Sequence, residues 1–168
     1  MKIAIIGYSG SGKSTLAKRL GEYYSCDVLH LDSVSYAPNW VRRADEEIAE
    51  DVKPFLEKDA WIIEGNYSRI LYEQRMEDAD KIIFFNFNRF SCLWRAYRRY
   101  RKYKGTNRPD LASGCNDKFD MGFILWILRD GRSKKAKVRY KIVADTYPNK
   151  TVIIKNQRQL DCFEKTLR

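Results

Sequence analysis

Residues 7–14 read Gly7-Tyr8-Ser9-Gly10-Ser11-Gly12-Lys13-Ser14, the spacing G-x-x-x-x-G-K-[ST] in full. Glycines at 7, 10 and 12 let a backbone fold closely round an anion with its N–H groups turned inward. A helix opening directly behind them presents its first amides and the positive end of its dipole to the same anion. Lys13, at what reads as an exposed loop–helix junction, is spaced to reach the β- and γ-phosphates of a nucleotide, and Ser14 to sit on Mg²⁺ through its hydroxyl. Gly7, Gly10, Ser11, Gly12, Lys13 and Ser14 are therefore candidate residues for binding ATP with Mg²⁺. Thr15 suits either an α-phosphate contact or packing in the first helical turn.

The motif needs a strand before it and a helix after it. Lys2 to Ile6 is a short apolar run that reads as a buried strand, and Thr15 to Leu20 reads as an amphipathic helix. Four more strand signals follow: Val28 to Leu31, Trp61 to Ile63, Ile82 to Phe85, and Thr151 to Ile154. Helical spacing separates them. Ile48, Val52, Phe55 and Leu56 share a face, with Pro54 predicting a kink or an early end. A short helix runs through Arg75, and Arg89 to Tyr103 is a long basic helix. Met121, Ile124, Leu125 and Leu128 mark another helix, Val138, Ile142 and Val143 the next, and Leu160, Phe163 and Leu167 the last. Alternating strands and helices predict a single α/β domain over residues 1–168 with a doubly wound parallel sheet. Ser33 to Arg43 reads as a loop. Lys104 to Lys118, with glycines near both ends and few apolar anchors, reads as a mobile lid.

Composition narrows the class. The chain's 168 residues are 44% hydrophobic, enough for one domain with a real core. No apolar run approaches the ~18–20 residues of a membrane span, and the N-terminus opens straight into a strand with no signal peptide, so a cytoplasmic location is expected. Cys26, Cys92, Cys115 and Cys162 lie far apart and read as reduced thiols. His30 is the single histidine and looks like a strand residue. The net charge of +10 is concentrated in two blocks, Arg89 to Arg108 and Arg129 to Lys141, and suits nucleotides and nucleic acids alike.

Ligands of open α/β sheets bind beyond the carboxyl ends of the strands. Those ends carry residues 7–14, Asp32, Glu64-Gly65-Asn66, Asn86 to Arg89, and Asn156 to Arg158. Asp32 and Glu64 each suit a Mg²⁺-bound water or an acceptor hydroxyl, or the cap of a following helix. Arg95 and Arg99 share a helix face and, with Arg108, suit a γ-phosphate; a solvated basic face is the other reading. Tyr97, Tyr100 and Tyr103 suit either ordinary packing or the stacking of single-stranded bases. Trp40, near Tyr36, Arg42 and Arg43, suits an acceptor contact or an anchor for its loop.

Taken together these residues resemble the adenylate-kinase-like P-loop kinases, and within them the bacterial DNA topology modulation proteins (FlaR-type). The resemblance spans nearly the whole chain. It rests on residues 7–15, Leu31-Asp32 with Trp40, Trp61 to Tyr67, Cys92-Leu93-Trp94-Arg95 with Arg99, Arg108-Pro109-Asp110, Gly114-Cys115 and Phe119-Asp120. It implies a five-stranded sheet in the order 2-3-1-4-5 with a short lid after the fourth strand. It implies that Arg95 and Arg99 lie near the base and phosphates of ATP, that Arg108 is the lid arginine, and that the base rests near Asn156 to Arg158. Glu64 stands where most relatives are expected to have Asp, which favours a water-mediated metal contact over a direct one. The acceptor-binding insert is reduced to Ser33 to Phe55. The expected activity is transfer of the ATP γ-phosphoryl to a small acceptor, a nucleotide or related metabolite. In that reading Lys13, Asp32, Arg95, Arg99 and Arg108 are catalytic, Ser14 and Glu64 organise the metal, and Arg158 joins the nucleotide site. The competing expectation is a nucleotide-regulated nucleic-acid-binding protein that influences DNA topology.

Overall fold

The computed structural model describes residues 1–106 and 110–167. β1 (Lys2–Gly7) is buried almost throughout and lies at the centre of a parallel sheet. β2 (Val28–His30) and β3 (Trp61–Glu64) lie on one side of it, and β4 (Lys81–Phe85) and β5 (Thr151–Ile154) on the other. The order is β2-β3-β1-β4-β5, as the resemblance to adenylate-kinase-like P-loop kinases implies. Strands covered on both faces read as unbroken apolar runs, which explains Ile3 to Ile6, Trp61 to Ile63 and Ile82 to Phe85. The register sets His30 and Ile5 on either side of Glu64, so three carboxyl ends open at one level.

Eight helices cover the sheet among the described residues: α1 (Lys13–Tyr24), α2 (Leu31–Ser35), α3 (Asp45–Leu56), α4 (Tyr72–Asp78), α5 (Arg89–Tyr103), α6 (Met121–Leu128), α7 (Lys134–Thr146) and α8 (Gln157–Lys165). None is long and apolar enough to cross a membrane. α3 runs through Pro54 and ends two residues later, burying Ile48, Val52 and Leu56.

Three local expectations are corrected. β2 stops at His30 because the chain turns there into α2: Ser33 Oγ donates to His30 O at 2.7 Å, and Leu31 is buried against Gly65. A side chain at Gly65 would meet Leu31 Cβ at 2.8 Å, and the glycine's φ of 141° suits few other residues. The expected loop from Ser33 to Arg43 contains α2 and an antiparallel ladder of Tyr36–Ala37 with Val41–Arg42. The apolar faces of α6 and α7 are also shifted. Ile127, Tyr140 and Val143 are buried, while Met121, Leu125, Val138 and Ile142 are exposed. Tyr140 stacks on Phe84 and packs edge-on against Tyr8, and this turns α7 about its axis.

Candidate active site

The phosphate loop is held from behind at every turn. Gly10 has φ 76°, and a Cβ there would sit 2.4 Å from the Cys92 carbonyl, so only glycine lets the loop lie against α5. The Asn66 amide clamps the start of the loop, accepting from Gly7 N–H at 2.8 Å and donating to Gly7 O at 2.6 Å. Arg132 lies 3.8 Å above the Tyr8 ring and donates to Phe87 O at 2.8 Å, and Trp126 donates to Ser9 Oγ at 3.2 Å. No side chain caps α1 at Gly12, which leaves the helix's first amides directed at the loop. The Ser11 hydroxyl is buried and has no hydrogen-bond partner among the described residues.

Lys13 is buried rather than exposed. Its ammonium donates to Tyr8 O at 3.3 Å and lies 3.5 Å from Glu64 Oε1. Glu64 collects three partners at the end of β3. Its second oxygen, Oε2, accepts from Ser14 Oγ at 3.0 Å and lies 3.2 Å from His30 Nδ1. Burial pushes this carboxyl's pKa up, but the Lys13 charge, His30 and the Ser14 hydrogen bond together hold it below the ordinary glutamate value. No group of three or more His, Cys, Asp or Glu side chains suited to a metal exists among the described residues. The set does fit Mg²⁺ arriving on nucleotide phosphates, which needs one or two carboxylates and waters besides the phosphate oxygens. Ser14 Oγ and Glu64 would hold it there.

The loop after β3 links the two halves of the site. Arg75 is fully buried and donates to Ile70 O at 3.0 Å, Gly65 O at 3.2 Å and Tyr67 O at 2.8 Å. Burial lowers its pKa to about 10, which leaves it a cation at neutral pH. Three carbonyls thus surround one guanidinium, fixing the loop that carries Asn66 and Tyr67. Tyr67 Oη in turn donates to Asp32 Oδ1. Burial, and then the Asp32 charge, push the Tyr67 phenol far up, so it stays a donor to that carboxylate.

Asp32 and the phosphate loop line one cleft of about 1870 Å³. The same cleft is lined by Thr15, Glu64, Arg95 and Arg99. Arg95 donates to Ser11 O at 3.1 Å and to Gln157 Oε1, and its guanidinium lies 4.5 Å from the Phe87 ring centre. Arg99 forms a two-pronged pair with Asp117, at 2.9 and 3.0 Å. Gln157 lines the cleft and Arg158 does not. Arg108 lies outside the described residues.

The expectation of few apolar anchors between residues 110 and 118 is corrected as well. Leu111, Ala112 and Cys115 are buried and pack with Tyr36 and Trp40 in a small separate core. Asn39 N–H donates to Gly114 O at 3.2 Å, and Trp40 Nε1 to Asn116 O at 3.0 Å. The segment therefore has apolar anchors, and they lie on the loop after α2. Sequence reasoning missed them because each partner lies some seventy residues away. It placed Asn66 at a strand end without foreseeing its clamp on Gly7, and it missed Arg75, Arg132 and the contact of His30 with Glu64. The sequence signal was an amide and a histidine at strand ends, and for Arg75 and Arg132, which lie away from strand ends, there was none.

No family model matches the chain. Over 125 residues, 73% of its length, it is 45% identical to a gluconokinase from Arabidopsis thaliana, and it spans 58% of that protein. Three solved structures superpose on 99% of the chain. They are an uncharacterised protein from Eubacterium ventriosum (16% identical, TM-score 0.55, 97% of that chain), a gluconokinase from Sinorhizobium meliloti (16%, 0.54, 89%) and a shikimate kinase from Bacteroides thetaiotaomicron (19%, 0.56, 96%). With its five-stranded parallel sheet and complete phosphate loop, the chain has the fold of P-loop kinases such as gluconokinase and shikimate kinase.

Proposed function

We propose that the protein transfers the γ-phosphoryl group of ATP to a hydroxyl of a small metabolite. The observation that carries this is the meeting of Lys13, Ser14 and Glu64 at one end of a cleft whose walls also hold Asp32. The loop amides and Lys13 would cradle the phosphates. Mg²⁺, held by Ser14 and through water by Glu64, would supply charge neutralisation on the β- and γ-oxygens. Asp32 would orient the acceptor hydroxyl and take its proton. The bond from the γ-phosphorus to the β,γ-bridging oxygen breaks, a bond to the acceptor oxygen forms, and ADP leaves. Arg95 and Arg99 would face the charge that shifts in that step, Arg99 after exchanging Asp117 for phosphate.

The acceptor reading follows from the relatives. Gluconokinase and shikimate kinase are named for hydroxylated carboxylic acids. A nucleotide acceptor and a role in DNA topology, both implied by the resemblance to DNA topology modulation proteins, draw no comparable support. Tyr97 and Tyr100 pack against Phe119 at 5.4 and 5.9 Å, so two of the three tyrosines read as base-stackers are used inside the fold. The test is ADP formation from Mg-ATP with gluconate, shikimate and nucleoside monophosphates in turn. Stimulation by a hydroxy acid supports the proposal. Stimulation by DNA alone overturns it.

A further inference from the structure

The sequence leaves Asp32 two roles, a reacting carboxylate or a helix cap, and the structure separates them. α2 takes His30 as its cap residue and has no side-chain cap. The Asp32 carboxylate accepts from Tyr67 Oη, and both residues line the cleft.

Tyr67 is fixed along its whole length. Its carbonyl accepts from Arg75 Nη2 at 2.8 Å and from Ile70 N–H at 3.2 Å. Its ring centre lies 4.8 Å from the Arg42 guanidinium. The loop that carries it meets α2 a second time, where Gly65 lies against Leu31. A hydroxyl anchored at backbone and ring has few positions open to it. A carboxylate that accepts from it takes the orientation the hydroxyl sets.

The kind of donor matters as well. Arg42 lies against the same ring, yet its guanidinium is directed at Asp45 Oδ1, 2.7 Å away. A cation bonded to a general base favours its charged form and so weakens it as a base. A neutral phenol orients the carboxylate at a smaller cost in basicity. Burial, and then the Asp32 charge, keep the proton on the Tyr67 oxygen.

We infer that Tyr67 is a positioning residue for phosphoryl transfer, its hydroxyl turning the Asp32 carboxylate toward the acceptor hydroxyl. This rests on the kinase reading, in which Asp32 takes the acceptor's proton. It adds to that reading a residue that acts through Asp32 alone, and it gives the bond between the loop after β3 and α2 a part in the chemistry.

The test is a double-mutant cycle on the full chain, read as ADP release from Mg-ATP with gluconate or shikimate as the acceptor. Tyr67→Phe keeps the ring, its contact with Arg42 and the backbone bonds, so it should fold, which thermal melting checks. It should lower kcat about tenfold, the scale of a misoriented reacting group, while acceptor KM and Mg-ATP affinity change by less than about twofold. In an Asp32→Asn background the same change should cost nothing further, because the group it orients is no longer a base. A merely structural tyrosine would give the opposite pattern, with KM and Mg-ATP affinity worsening together and the two losses multiplying. That pattern, or an unchanged kcat in Tyr67→Phe, overturns the inference and leaves the kinase reading standing. If the unmodified protein phosphorylates neither probe, the kinase reading fails and takes this inference with it.

Discussion

The two ends of the cleft are built in opposite ways. The proposed donor end is built on a run of eight consecutive residues, whose backbone amides, one lysine and one serine would face the ligand. The acceptor end has no such run. Asp32, Trp40 and Tyr67, which line the proposed acceptor end, come from separate segments, held by hydrogen bonds that span 35 residues (Tyr67 to Asp32) and 76 residues (Trp40 to Asn116). Every nucleoside triphosphate offers the same phosphates, so one local loop suffices to hold them. An acceptor differs from one substrate to the next, and its site lies on connecting segments that vary while the scaffold does not.

Several changes would break or sharpen this contrast. Lys13→Ala should have the largest effect. It removes the cation beside the γ-phosphate and leaves Glu64 buried with one partner fewer, so ADP formation should fall by about 10²–10³-fold. Thermal melting run beside Mg-ATP calorimetry separates lost binding from lost fold. Asp32→Asn tests the acceptor end in isolation. Turnover should drop by about 10²-fold, the usual scale for a general base, while Mg-ATP affinity holds. Equal losses in both measurements would show that the two ends are not separable.

Arg75→Met should destabilise the protein by about 2–4 kcal/mol, since it strands three buried carbonyls. Because Arg75 fixes both Asn66 and Tyr67, nucleotide affinity and acceptor turnover should fall together. Chemical denaturation beside both assays checks this. If only acceptor turnover falls, the loop does not serve the donor end.

Glu64 gives a pH signature. Its folded carboxyl lies below the ordinary glutamate value of 4.5, so its contribution is fully present above that pH. The contribution is lost as pH falls through the lower, folded value. Glu64→Gln should therefore flatten the loss of stability below pH 4.5, measured as midpoint against pH in urea. An unchanged acid limb would assign acid unfolding to other carboxylates. Asp117→Asn should have the smallest effect on turnover and cost about 1–3 kcal/mol of stability, because its buried carboxylate gives up a two-pronged pair with the partly exposed Arg99. Amide exchange over residues 110–118 should speed up several-fold without loosening the phosphate loop. Faster exchange in both would mean that residues 110–118 and the phosphate loop open together.

The phosphate loop and the strands were legible because the information is local, whereas the order of the strands came only from the family resemblance. Eight adjacent residues specify the loop, and unbroken apolar runs mark strands covered on both faces. The motif marked Lys13 as a candidate phosphate ligand but did not reveal its burial, since burial depends on Glu64 lying across a strand register. Arg158 sits one residue too far along. Gln157 enters the cleft instead, and a strand-end argument does not resolve single residues at a helix start.

The lid shows the same boundary. Glycines at its ends suggested free motion, and that reading counted Leu111, Ala112 and Cys115 as too few to anchor it. Three small apolar side chains hold a segment only where something else presents an apolar surface. Tyr36 and Trp40 do so here, through a turn whose left-handed backbone no local rule predicts for tryptophan. The amino-acid sequence alone therefore marked the loop proposed to hold a nucleotide's phosphates, because a peptide's own N–H groups suffice for that. The tertiary structure alone decided what faces them, because the acceptor wall exists only once segments many tens of residues apart are brought together by the packing of a common core.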